Sequence, residues 1–162
     1  MVFVYKTKDC RQYISHRPQL YAREAMVSSG HHLASQAGLR ILEKGGNAID
    51  AGVATGLCLC VLQSDFISFL GVAPMMIHLA KENRTISISG VGRWPKNASI
   101  EWCNKNCDGQ IPPGVLRAVV PAAPDSWLHA LEHYGTMSFS EVVQDAIVIA
   151  ERGFAMYHLM YD

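Results

Sequence analysis

Apolar positions in the first half of the chain follow a helical period. Leu33, Ala37 and Ile41 recur every four residues, and Lys44 is followed by Gly45-Gly46, a pair that ends helices. Asn47 then offers a cap for a second helix, with Asp50 in its first turn where the helix dipole favours a carboxylate. That second helix, Ala48 to about Leu62, is apolar on nearly every face, which predicts a position covered on all sides. The pattern then changes to period two. Met75–Ala80 and Thr85–Gly90 flank the polar stretch Lys81-Glu82-Asn83-Arg84, and Ile86 and Ile88 alternate with Ser87 and Ser89, which predicts a β-hairpin with one packed face.

From Gly92 to Pro113 the chain is polar and broken by Pro95, Gly109, Pro112 and Pro113, so a loop with at most one short helix is expected. A short strand is expected over Leu116–Val120, before Pro121. A helix should run from about Asp125 to His133 and stop at Gly135. The last clear helix opens on Ser138-Phe139-Ser140-Glu141, the spacing of a capping box. Val142, Val143, Ala146, Ile147 and Ala150 form its expected packed face, and Gly153 its stop. The predicted order is helix, helix, hairpin, strand, helix, helix, a mixed α/β fold without regular βαβ alternation.

Composition supports a packed body. Hydrophobic residues make up 49% of the 162 positions and charged residues 17%, which sets the chain apart from disordered sequences. Fourteen basic residues balance fourteen acidic ones, so no net field favours nucleic acid or an anionic membrane as partner. The opening segment has no apolar stretch of secretory type, and the longest apolar run, Ala51–Leu62, is too short to span a bilayer. A cytoplasmic location is the default expectation. Five cysteines, Cys10, Cys58, Cys60, Cys103 and Cys107, make a poor disulfide framework by number and spacing and are expected as reduced thiols.

Candidate chemistry is sparse. His129-Ala130-Leu131-Glu132-His133 matches the H-x-x-E-H zinc pattern, but a zinc site would need a third ligand, and His158 is the sole histidine in the 29 residues that follow. No metal site is assigned. Adjacent His31 and His32 point to different sides, so a local role at the helix entry is expected. No strand-turn-helix serine elbow, dinucleotide fingerprint or P-loop occurs, and no catalytic residue or cofactor is assigned.

Two separated sets of residues nevertheless resemble a known family. Met26-Val27-Ser28-Ser29, His32-Leu33-Ala34-Ser35-Gln36-Ala37-Gly38 and Leu42-Glu43-Lys44-Gly45-Gly46-Asn47-Ala48-Ile49-Asp50-Ala51 are similar to the opening of γ-glutamyltransferases, P-L-A-S-x-A-G followed by I-L-x-x-G-G-N-A-x-D-A. Downstream, Val119-Val120-Pro121, Tyr134-Gly135-Thr136, Ala146-Ile147 and Ala150-Glu151-Arg152-Gly153-Phe154 resemble the family's A-V-P-G, Y-G-x-L and A-I-x-L-A-x-x-G-F run. The resemblance covers roughly residues 24 to 156.

It implies the N-terminal part of the large subunit of an N-terminal-nucleophile hydrolase, an incomplete piece of a four-layer αββα sandwich. On that reading residues 1–23 are an N-terminal extension and 24–162 a partial domain. In the family a threonine freed by self-cleavage attacks a γ-glutamyl amide, using its own α-amine as base. That threonine lies far downstream, so the chain is expected to be inactive alone and to act on a small amide only when completed by a second subunit or C-terminal region. A non-catalytic remnant or binding module of the same ancestry is the alternative.

Two departures bear on substrate. Where the family carries E-P-x-S-x-G-I-G-G-G-x-F, this chain reads Gln63-Ser64-Asp65-Phe66-Ile67-Ser68-Phe69-Leu70-Gly71-Val72-Ala73-Pro74. Where the family's D-G-R-E-T-A-P supplies an arginine for the substrate carboxylate, Val91 stands, and Arg93 lies two positions on. Arg93 has two readings: the substrate-binding cation of this chain, or a surface cation. Related acylases fit the altered pattern as well as glutathione-cleaving enzymes do.

Overall fold

A computed structural model describes residues 20–161, so Cys10 and most of the N-terminal extension lie outside the described residues. The first helix, α1 (His32–Glu43), starts at an extended His31 whose Nδ1 accepts from the Leu33 N–H at 3.2 Å. This is the local role expected of the histidine pair. The helix ends as Gly45-Gly46 foretold. Gly45 takes φ +92°, its N–H donates to the Leu42 carbonyl, and the Gly46 N–H donates to the Ile41 carbonyl, both at 3.0 Å. These crossed bonds satisfy carbonyls that the helix end would leave unpaired.

The second helix, α2 (Ala48–Leu62), packs against α1 and against three of the later helices, those at Ala123–Tyr134, Phe139–Val142 and Gln144–Arg152. Ala34, Ala37 and Ile41 of α1 meet Ala51, Ala54, Cys58 and Leu62 of α2 in one buried cluster. Complete burial of a side chain the size of Ile41 contributes about 1.5–3 kcal/mol. Small residues let the two helices approach closely. A Cβ on Gly38 would overlap the Thr55 hydroxyl, which itself donates to the Ala51 carbonyl at 2.7 Å.

The hairpin forms with β1 (Met75–Leu79) antiparallel to β2 (Arg84–Ile88), Met75 opposite Ile88 and Ile77 opposite Ile86. Met75, Ile77, Ile86 and Ile88 turn inward, whereas Met76, His78, Thr85 and Ser87 are exposed, as the alternation predicts. A 3₁₀ turn, Ala80–Glu82, and a left-handed Asn83 (φ +46°) close it.

The long polar stretch holds one short helix, α3 (Ile100–Asn106), capped by Ser99. The strand expected over Leu116–Val120 is absent. Val115–Arg117 form a 3₁₀ turn instead, and only the Val120 N–H donates to another extended segment, at the Arg93 carbonyl, 2.9 Å. The N–H groups of Arg117 and Ala118 are turned back to the Gly114 and Val115 carbonyls, so no ladder forms. Helix α4 (Ala123–Tyr134) begins two residues earlier than expected, with Pro124 in its first turn, where its missing N–H costs nothing.

The capping box at Ser138 is present. Glu141 N–H reaches Ser138 Oγ at 3.3 Å, and Ser138 N–H reaches Glu141 Oε2 at 2.9 Å. The Ser138 hydroxyl and N–H hold the Glu141 carboxyl below the usual carboxylate range. The helix breaks at Val143 into α5 (Phe139–Val142) and α6 (Gln144–Arg152), and Gly153 ends it at φ +76°. Its packed face also differs from expectation. Val142 and Ala146 are buried with Val143 and Ile149 against the core, whereas Ile147 and Ala150 are exposed. Val142, Ala146 and Ile149 follow one another at spacings of four and three, so the face continues through Ile149, and Ile147 and Ala150 lie to one side of it. A last turn, α7 (His158–Tyr161), follows Tyr157, whose hydroxyl donates to Asp65 Oδ1 at 2.5 Å. Among the described residues no helix is long and apolar enough to cross a membrane.

Candidate functional site

The two motif sets, more than eighty positions apart, meet at the N-terminus of α2. Asn47 caps the helix: its Oδ1 accepts from the Ile49 and Asp50 N–H groups at 2.8 and 3.1 Å, and its Nδ2 donates to the Tyr134 carbonyl at 2.7 Å. Asp50 is fully buried. Its carboxylate accepts from the N–H of Asn47 at 2.8 Å, from the N–H and hydroxyl of Thr136 at 3.0 and 2.7 Å, and from the N–H of Met137 at 3.2 Å. Charge-assisted bonds of this number, at a helix N-terminus, compensate the desolvation of a carboxylate without any cation. Gly135 is held close: a Cβ there would lie 2.7 Å from Asp50 Oδ1. Asn47, Asp50, Gly135 and Thr136 therefore form a structural clasp between α2 and the end of α4, and their chemistry is fully consumed by it.

A second locus is open to solvent. The turn at 63–74, the stretch 90–95 and the stretch 118–123 converge on one rim. Gly71 accepts from the N–H groups of Ala122 and Ala123 at 3.0 and 3.1 Å. The Ala73 N–H donates to Gly90 at 3.0 Å, and Val120 bonds to Arg93 as described. Glycine is required at 92, because a Cβ would overlap the Val120 carbonyl. Beside this rim lies a hollow of about 520 Å³ walled by Val91, Arg93, Trp94, Lys96, Val120 and Asp125.

Arg93 is exposed on that wall and makes no salt bridge with any described residue. The sequence singled out Arg93 alone; Lys96, Asp125 and the Val120-Pro121 wall come to it only through the fold. The turn that has lost the family's glycines, the displaced arginine and the A-V-P-type segment are thus one place. A guanidinium and an ammonium on an open rim can bind a carboxylate, the arginine in a two-pronged geometry.

The other candidates stay apart from this rim. The rings of His129 and His133 lie 4.1 Å apart on the exposed face of α4, and His133 Nδ1 bonds back to the His129 carbonyl at 3.0 Å. Among the described residues no group of three or more His, Cys, Asp or Glu side chains is arranged to hold a metal. Cys58, Cys60, Cys103 and Cys107 are free thiols; burial pushes Cys58 up to about 12, which suits a packing residue rather than a nucleophile.

This mixed helix–strand architecture is the N-terminal part of an N-terminal-nucleophile hydrolase of the transpeptidase type. The profile of the Gamma-glutamyltranspeptidase family matches residues 34–162, and the chain belongs to that family. Among curated relatives it is 39% identical over 133 residues to the glutathione hydrolase-like YwrD proenzyme of Bacillus subtilis, covering 80% of this chain and 25% of the relative. It is 37% identical over 141 residues to the acylase ACY 1 proenzyme of a Pseudomonas strain, SE83, covering 81% of this chain and 25% of the relative.

Solved structures agree. The cephalosporin acylase from Bacillus halodurans superposes with a TM-score of 0.82 at 31% identity, over 98% of this chain and 29% of that one. The Helicobacter pylori γ-glutamyltranspeptidase gives 0.78 at 31%, over 88% and 42%. The chain spans about a quarter of the length of the curated relatives it matches.

Proposed function

We propose that the chain is the N-terminal portion of an enzyme that hydrolyses or transfers γ-glutamyl or related acyl amides, and that it has no turnover alone. Residues 24–162 are the partial domain on this reading and residues 1–23 an extension. The observation that carries it is the clasp: residues of both motif sets are spent on joining α2 to α4, so the chain supplies scaffold. The nucleophilic threonine of the family belongs to the part of a family chain that these residues do not span.

Arg93, which shares its hollow with Lys96, is the group that receives the substrate's carboxylate. The likeness to both a glutathione hydrolase-like protein and acylases supports keeping the acyl group general. The test assays the chain alone, then together with a chain carrying the family's C-terminal three quarters, on a γ-glutamyl anilide and on a glutaryl amide. Turnover by the pair and none by the chain alone is expected; turnover by the chain alone, or none by an intact pair, overturns the proposal. In the active pair Arg93→Ala should raise KM about tenfold or more with kcat little changed, the loss of a charge-assisted bond of about 1.5–3 kcal/mol.

A further inference from the structure

Two half-buried thiols stand one helical turn apart in a part of the chain that the candidate site does not use. Cys103 lies in α3, and Cys107 is its C-cap. The Cys103 carbonyl accepts from the Cys107 N–H at 2.8 Å and from the Gly109 N–H at 3.3 Å, so the last turn is tied back onto Cys103. Both cysteines line one hollow of about 30 Å³ with Trp94, Trp102, Ile111 and Leu116, so they face the same narrow space.

Positions four apart on a helix have Cα atoms about 6 Å apart, within the range of a disulfide. Their Cβ atoms are about 5–6 Å apart, roughly 1–2 Å beyond that range. A bridge between them closes only by drawing in the last turn. That turn can give. Cys107 has φ −138° and ψ 18°, outside the helical range, and Asp108 and Gly109 follow with φ +50° and +71°. A disulfide closed against such a pull is readily reduced, the property of a switch rather than of a staple. The other described thiols differ. Cys58 and Cys60 lie two apart on α2 and face different sides, and burial raises the pKa of each, which leaves little thiolate to react.

We propose that Cys103 and Cys107 form a reversible thiol–disulfide exchange site for a low-molecular-weight disulfide. One thiolate attacks a sulfur of the small disulfide RSSR, forming a mixed disulfide and expelling RS⁻. The second thiolate attacks the protein sulfur of that adduct, closes the Cys103–Cys107 bridge and expels the other RS⁻. The protein gives up two electrons and two protons, and RSSR becomes two RSH. Trp94 reads the state of the pair, because it walls both their hollow and the larger one that holds Arg93. The exchange does not depend on any part the chain has in amide cleavage.

The test incubates the whole chain with glutathione disulfide, blocks free thiols in denaturant and digests with trypsin without reduction. Cutting after Lys105 separates the two cysteines, so peptides 97–105 and 106–117 should be recovered joined, and dithiothreitol should part them. Excess reduced glutathione should reopen the bridge in the folded chain. Cys103→Ser and Cys107→Ser should each stop at the mixed adduct. Tryptophan emission should fall on oxidation, since a disulfide quenches an indole it touches, and Trp102→Phe should keep that fall because Trp94 remains. Peptides left unjoined, a bridge from either cysteine to Cys10, Cys58 or Cys60, a mixed adduct that persists in the parent, or a bridge that excess reduced glutathione cannot open each overturns the proposal. Unchanged emission in Trp102→Phe overturns the role of Trp94.

Discussion

At the scale of residues, Asp50 shows how a buried charge becomes a fastening. Its oxygens hold donors from Asn47, Thr136 and Met137, and no cation among the described residues forms an ion pair with it. Asp50→Asn keeps the size but turns an NH₂ toward N–H and O–H donors, so at least one buried donor loses its acceptor. We expect a loss of about 2–3 kcal/mol, read as a lower urea midpoint with unchanged slope. His31 gives a pH dependence of known sign. Burial, and then the neighbouring His32, lower its pKa from the ordinary 6.5, and its neutral Nδ1 caps α1. The unfolded chain therefore takes up this proton first as pH falls. The stability His31 contributes is complete above about pH 6.5 and is lost as pH falls through the lowered folded value. His31→Asn, which caps without titrating, should remove that part of the acid sensitivity; a denaturation-midpoint profile identical to the parent's would refute the assignment.

Elements show where local pattern suffices and where it does not. The ends of α1 and α6 were legible, because Gly45 and Gly153 take positive φ values set by short-range sterics. The stop of α4 was legible in position but not in cause. Gly135 has φ −77°, so its glycine serves the approach of Asp50 rather than a left-handed turn. The missing strand at Leu116–Val120 is the converse case: an apolar run that could pair finds no ladder partner, since only Val120 meets a neighbouring backbone. Ile147 and Ala150 were misplaced because the centre of the face runs through Val142, Ala146 and Ile149, and at its edges burial depends on what packs there. Packing of α1 on α2 yields a prediction at this scale. Gly38→Ala should destabilise the chain by about 1–3 kcal/mol despite its gain in helix propensity, because the new methyl overlaps Thr55. A thermal midpoint equal to or above the parent's would show that the two helices can separate cheaply.

For the whole molecule, the apolar surface is the telling quantity. Phe66, Leu70, Met76, Ile100 and Val115 are each at least 65% exposed, and Gly52 opens onto a hollow walled by β1. Surfaces of this kind mark faces that pack on something else. The chain alone should bind a hydrophobic dye such as ANS and self-associate at micromolar concentration. A monodisperse monomer that ignores the dye and melts in one sharp transition would contradict this.

Of the candidate site, the sequence by itself determined Arg93 as a cation out of the family's register, and it gave the stops of α1 and α6 and the caps Asn47 and Ser138. These depend on the preferences of a few consecutive residues. Only the tertiary structure decided that Asn47 and Asp50 are spent on Tyr134 and Thr136. It alone gathered Gly71, Arg93 and Val120 on one rim, and it alone left Gly52 facing open space. Each of these is a meeting, or a missing neighbour, between positions tens of residues apart, and the spacing of residues along a chain carries no measure of that distance.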